Sequence, residues 1–280
     1  MTGPVLVTGA TGFTGRRVVV ALRRAGFDVV AFVRPTSDAG TVGALGVPTV
    51  VGDLDRPDTL RAALEGASAL VNVASLGFGH APGIVAAARE AGVVRSVFLG
   101  TTAVRTALPA PTKAVRLEAE RVVLGGGVGA TLLRPTMIYG GPGDRNLERL
   151  LRFVRRSPIV PILGRGAGLV QPTHADDVAA AVAAVVPRAD LAGRDFDVPG
   201  PLSLTFEALV RTVGAVLGRR RWYPHVPAVL GRLVASREQV LRLAEDKAAD
   251  PAPACAAFGY APRALEDGLR DEARDLGLLS

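Results

Sequence analysis

Along the first half of the chain, short runs of apolar and β-branched residues alternate with longer stretches whose apolar positions recur every three or four residues. "VLVT" (Val5 to Thr8), "DVVAFV" (Asp28 to Val33), "PTVV" (Pro48 to Val51), "ALVNVA" (Ala69 to Ala74), "SVFLG" (Ser96 to Gly100) and "ATLLRP" (Ala130 to Pro135) read as strands. "RRVVVALRRAG", "DTLRAALEGA", "PGIVAAAREAG" and "KAVRLEAERVV", lying between them, read as helices. The strands are near-continuously apolar rather than alternating, so both faces of their sheet must be covered, the condition of a parallel sheet. Successive βα units of this kind predict an α/β chain built on a doubly wound parallel sheet.

After Pro135 the rhythm breaks into Gly and Pro punctuation, "MIYGGPGDRN" and "SPIVPILGRGAG". "QPTHADDVAAAVAAVV" restores a helix from Ala175, and "RDFDVPG" adds one more strand. The expected division assigns residues 1–135, with 175–200 returning to them, to a nucleotide-binding domain, and 136–174 with 201–280 to a small C-terminal substrate-binding cap. With 280 residues and 49% apolar content, the chain can fill such a core. No apolar run reaches the roughly 18 residues of a membrane span. No charged leader precedes "PVLVTGATG", so a cytoplasmic protein with no membrane partner is expected. The single cysteine, Cys255, excludes an internal disulfide, and no metal site is expected. The net charge of +7 is spread along the chain without a long basic run, so nucleic acid is not an expected partner. "RRRWY" at Arg219 to Tyr223 reads as a solvated helix end.

"TGATGFTG", Thr8 to Gly15, lies where the first strand ends and the first helix begins. In Gly9-x-x-Gly12-x-x-Gly15, Gly9 permits the tight turn, Gly12 lets a pyrophosphate approach the backbone, and Gly15 lets the helix pack close to the strand. The helix N-terminus then offers unpaired N–H groups to the anion. Gly9, Thr11, Gly12, Phe13, Thr14 and Gly15 are therefore the expected cofactor loop of a Rossmann-type domain. At the end of the second strand, "AFVRPTS" carries Arg34 and no competing acid. Arginine suits the 2′-phosphate, so NADP(H) is expected ahead of NAD(H). If Arg34 instead stacks on adenine or points to water, NAD(H) stays open.

This loop and the motifs after it resemble the short-chain dehydrogenase/reductase superfamily, in its extended and atypical branches, which include nucleotide-sugar epimerases and dehydratases. The resemblance runs from Val5 to Val198. It implies that Asp53 and Leu54 of "GDL" contact adenine and that Asn72, Val73 and Ala74 of "NVAS" line the cofactor. "RPTMIYG", which contains Pro135, matches the family's turn after the sixth strand, and "HADDV" its docking motif. The resemblance also implies a catalytic group: a Ser or Thr after the fifth strand, a Tyr, and a Lys four residues after it. Thr101 and Thr102 stand in the first place and Lys113 in the third, where it would hold the nicotinamide ribose. Pro109 occupies the place of the tyrosine.

Three groups are candidates for the missing proton donor. His80 lies in "SLGFGHAPG" and titrates in the useful range, unless it only caps the next helix. Tyr139 follows the sixth strand and could face the substrate from the cap. Lys113 itself could act, as a lysine does in the atypical reductases resembling isoflavone reductase. Only Lys113 and Lys247 among the 33 basic residues are lysine, and lysine can release a proton where arginine effectively cannot. His174, Asp176 and Asp177 read as capping and interdomain residues at a helix start. No GxSxG elbow or HExxH helix is present. The sequence thus predicts an NADP(H)-dependent oxidoreductase or epimerase/dehydratase with non-standard catalytic residues, acting on a small-molecule carbonyl or hydroxyl substrate. A non-catalytic NADP(H)-binding sensor or accessory protein is the alternative, and a homodimer stays open.

Overall fold

The computed structural model describes residues 3–108, 110–144, 146–227 and 248–279. Seven strands form one parallel sheet: β1 (Val5–Thr8), β2 (Val29–Val33), β3 (Thr49–Val51), β4 (Ala69–Asn72), β5 (Ser96–Leu99), β6 (Ala130–Pro135) and β7 (Asp195–Val198). Their order is β7-β6-β5-β4-β1-β2-β3, so the winding reverses between β1 and β4. Ligands of doubly wound sheets bind at the carboxyl ends of strands at such a reversal.

Nine helices are used below: α1 (Phe13–Arg24), α2 (Pro57–Leu64), α3 (Ala81–Glu90), α4 (Lys113–Gly125), α5 (Leu147–Arg156), α6 (Ala175–Val185), α7 (Phe206–Val216), α8 (Ala252–Phe258) and α9 (Leu265–Asp275). The period of two along each strand divides its side chains between two cores. Val5, Val7, Ala31, Val71 and Leu133 pack with Val18 and Leu22 of α1 and Val178 and Val182 of α6. Leu6, Phe32, Leu70, Phe98 and Leu132 pack on the other face with Leu60, Ile84 and Val123 from α2, α3 and α4. The sequence pattern made every strand two-sided, but β3 is an edge strand and all three of its residues are exposed. Its apolar run reflects β propensity rather than burial.

A third core joins α5, α7 and α9 through Leu147, Leu151, Leu209, Val213 and Leu269, with Tyr139 in its interior. This unit is tied to the sheet by long-range polar contacts. Arg17 of α1 donates to the Gly140 carbonyl and pairs with Asp176 at 3.1 Å. Asp177 accepts from the backbone N–H and Nε of Arg263, both at 3.0 Å. Among the described residues no helix is long and apolar enough to cross a membrane.

Candidate nucleotide and substrate cleft

The glycine loop after β1 is built by close approach. Gly9 has φ +69°, and a Cβ there would lie 2.7 Å from the Ala74 nitrogen. A Cβ on Gly15 would lie 2.0 Å from the Gly9 carbonyl oxygen, so α1 can sit this close to the turn only without a side chain. Gly12 differs: a Cβ would meet only the Gly9 oxygen, at 3.2 Å, and its other side is open. Gly12 is also the N-cap of α1, with no side-chain capping bond and no acid in the first turn. The first-turn N–H groups thus face an open cradle that a side chain would fill, which fits the pyrophosphate of a dinucleotide.

Asn72 does not present its side chain to this cradle. It is buried, accepts from Thr8 Oγ1 at 2.6 Å and donates to the Ala74 carbonyl at 2.9 Å. It locks β1 to β4 and holds the 73–74 backbone against Gly9. Thr8 is the partner that sequence reasoning missed; its signal is a polar residue ending an apolar strand, in register with Asn72. Asp53 folds its own turn, its Oδ1 accepting from the Asp55 N–H at 3.1 Å, and Leu54 packs against the α2–α4 core. Arg34 is exposed at the end of β2 and has no ion pair among the described residues.

Beside the loop, a cleft of about 220 Å³ opens at the carboxyl ends of β4, β5 and β6. Thr14, Val73, Ser75, Gly100, Thr101, Arg116, Glu120 and Pro135 are among its lining residues. Thr101 Oγ1 accepts from the Ala103 N–H at 3.2 Å, which leaves its own proton uncommitted by that bond. Thr102 turns away, its hydroxyl 3.5 Å from the Pro135 carbonyl. Glu120 is buried and held by Arg134, whose Nε reaches both carboxylate oxygens at 3.0 Å and whose Nη2 reaches one at 2.8 Å. Arg134 extends this network to Asp195, and Arg105 pairs with Asp197.

Lys113, Tyr139 and His80 are not brought into the cleft. Lys113 does open α4, but its ammonium donates to the Thr106 carbonyl at 2.5 Å. Pro109, read as the replaced tyrosine, lies outside the described residues. Arg116, three residues beyond Lys113, lines the cleft instead, over Gly77, where a Cβ would come 3.0 Å from Arg116 Nε. Thr112, Arg116 and Glu120 follow one another at i, i+4 and so share a helix face. The signal was present in "TKAVRLEAE", one helical turn along from the place expected.

Tyr139 is a core residue of the cap. Its hydroxyl is 3.5 Å from the Leu265 carbonyl, its ring is edge-on to His174 at 5.2 Å, and burial, reinforced by Asp177, raises its pKa. His174 accepts from the Asp176 N–H at 3.2 Å, the helix-capping role expected from its position, and burial lowers its pKa. His80 starts α3 with Nε2 at 2.9 Å from Asp55 Oδ1. No group of acidic, histidine and cysteine residues able to hold a metal occurs among the described residues.

Residues 9–157 match a family model described as NAD(P)H-binding. The ceramide reductase of Caulobacter vibrioides is 33% identical over 194 residues, 65% of this chain and 60% of that protein. The 2-alkyl-3-oxoalkanoate reductase of Stenotrophomonas maltophilia is 27% identical over 95% of this chain and 97% of its own. The crystal structure of a nucleoside-diphosphate-sugar epimerase from Pseudomonas aeruginosa superimposes with a TM-score of 0.83, covering 99% of both chains at 19% identity. The chain spans 60%, 62% and 54% of the length of three curated relatives that it matches.

Proposed function

The chain belongs to a family described as NAD(P)H-binding, and on that premise we propose that it is an NADP(H)-dependent oxidoreductase reducing a small carbonyl compound. The observation that carries this reading is the junction of two features: an uncapped helix N-terminus behind an open Gly12, and a cleft lined by Thr101 beside it. In this reading residues 1–135 and 175–200 hold the cofactor, with the cap over the substrate. The first turn of α1 binds the pyrophosphate, and the exposed Arg34 pairs with the 2′-phosphate. A bound dihydronicotinamide supplies a hydride at the cleft. The Thr101 hydroxyl orients the substrate oxygen.

Reduction is preferred over epimerisation because the relatives matched include a ceramide reductase and a 2-alkyl-3-oxoalkanoate reductase, while no histidine, tyrosine or lysine lines the cleft to exchange a proton among the described residues. The same observation supports a second reading, an NADP(H)-binding sensor or accessory protein. Calorimetry should show tighter binding of NADPH than NADH, with Arg34→Asp reversing the order; equal wild-type affinities would remove Arg34 from the site. Transfer of deuterium from 4-deuterated NADPH to a carbonyl acceptor separates enzyme from sensor.

A further inference from the structure

All three tyrosines and all three histidines of this chain lie among the described residues, and each is committed elsewhere. Tyr139 is enclosed in the cap core. Tyr223 packs under Arg211, and Tyr260 donates to the Pro199 carbonyl at 2.7 Å. His80 meets Asp55, His174 caps α6, and His225 reaches the Gly164 carbonyl at 2.9 Å. The charged side chains lining the cleft are Arg116 and Glu120. Glu120 already receives three hydrogen bonds from Arg134. Arg116 has no hydrogen-bond or ion-pair partner for its guanidinium among the described residues, although it is only partly exposed. The cleft therefore offers a fixed cation that cannot give up a proton.

We propose that Arg116, with Thr101, selects hydride acceptors whose reduced form is a stabilised oxyanion, namely conjugated carbonyls of the enone or quinone class, over isolated ketones. This inference rests on the oxidoreductase reading. An isolated ketone that accepts a hydride becomes an alkoxide, about as basic as hydroxide, and needs an acid in the same step. An enone becomes an enolate and a quinone a phenolate-like monoanion. A guanidinium and a hydroxyl lining the same cleft can hold such an anion. The balance is complete with NADPH as reductant. The hydride and its electron pair form the new C–H bond of the enolate, or with a quinone the O–H bond of one former carbonyl, the conjugated π pair moves onto the remaining carbonyl oxygen, NADPH becomes NADP⁺, and water later supplies the proton. Arg116 is then a catalytic residue through its contact with that oxygen.

The test uses para-nitrophenol as a stable phenolate mimic, titrated into the NADP⁺-saturated protein by calorimetry. Its affinity should rise with pH as the probe itself ionises. Arg116→Gln should weaken phenolate binding by about tenfold or more, the scale of one hydrogen bond to a charged group, with NADP⁺ affinity unchanged. Arg116→Lys should restore part of the loss. In turnover, cyclohexenone and duroquinone should oxidise NADPH at least about a hundredfold faster than cyclohexanone, the scale of a missing general acid. Preference for the neutral phenol, or cyclohexanone reduced as fast as cyclohexenone, would overturn the inference while leaving the oxidoreductase reading intact. So would an Arg116→Gln variant that loses NADP⁺ instead of the probe, since Arg116 would then be a cofactor ligand. Absence of NADP(H) binding in the wild type would overturn both.

Discussion

Glu272 provides a quantitative test of the packing of the cap. It sits on α9 with no exposed surface, and neither carboxylate oxygen has a hydrogen-bond partner of good geometry. Facing it is Asp144, whose carboxylate accepts from the N–H groups of Asn146, Leu147 and Glu148 at 2.6, 2.8 and 3.3 Å at the start of α5. Burial first, then the Asp144 and Glu148 carboxylates, push the Glu272 pKa from 4.5 up to about 8, the Gly141 N–H opposing. The folded protein therefore keeps a proton that the unfolded chain releases near the ordinary carboxylate value. Its stability falls as pH rises between those two values, by about 1.4 kcal/mol per unit, and levels off above the folded pKa.

From about pH 5 to about pH 8 the loss is roughly 3 kcal/mol. Glu272→Gln keeps the shape and can donate to Asp144, but it does not titrate. The variant should match the wild type to within about 1 kcal/mol near pH 5 and exceed it by about 3 kcal/mol near pH 8. Urea unfolding of both proteins at several pH values measures the difference directly. Stability curves that run parallel with pH, or a variant less stable than wild type near pH 8, would refute the assignment of the proton to Glu272.

Two glycines of the nucleotide loop should separate binding from folding. Gly12→Val fills the open cradle, so calorimetry should show NADPH binding lost at a stability cost of about 1 kcal/mol. Gly15→Ala forces its Cβ against the Gly9 oxygen and should lower thermal stability as well, by about 3 kcal/mol; a fully stable Gly15→Ala variant would contradict the close approach of α1. Tyr139→Phe removes only a long contact to the Leu265 carbonyl, so it should cost no more than about 1 kcal/mol and leave NADPH affinity and turnover unchanged. Fluorescence titration of NADPH should likewise find Lys113→Met unaltered; a large loss would return that lysine to the cofactor site.

The sequence by itself determined the sheet, because periods of two and of three to four residues are local properties and each strand and helix carries its own. "TGATGFTG" between a strand and a helix was enough to place the cradle, and the helix from Ala175 was legible from "HADDV" and the alanine run after it. What the tertiary structure decided is which side chains meet across long separations. Asn72, expected to line the cofactor, also accepts from Thr8 across β1 and β4, a pairing that only the sheet order creates. β3 read like the other strands, but its place at the sheet edge left it exposed. Lys113 and Arg116 are one helical turn apart, and no local pattern distinguishes which of them faces a ligand. In the structure α4 packs over Gly77 with Arg116 lining the cleft, while the Lys113 ammonium donates to the Thr106 carbonyl.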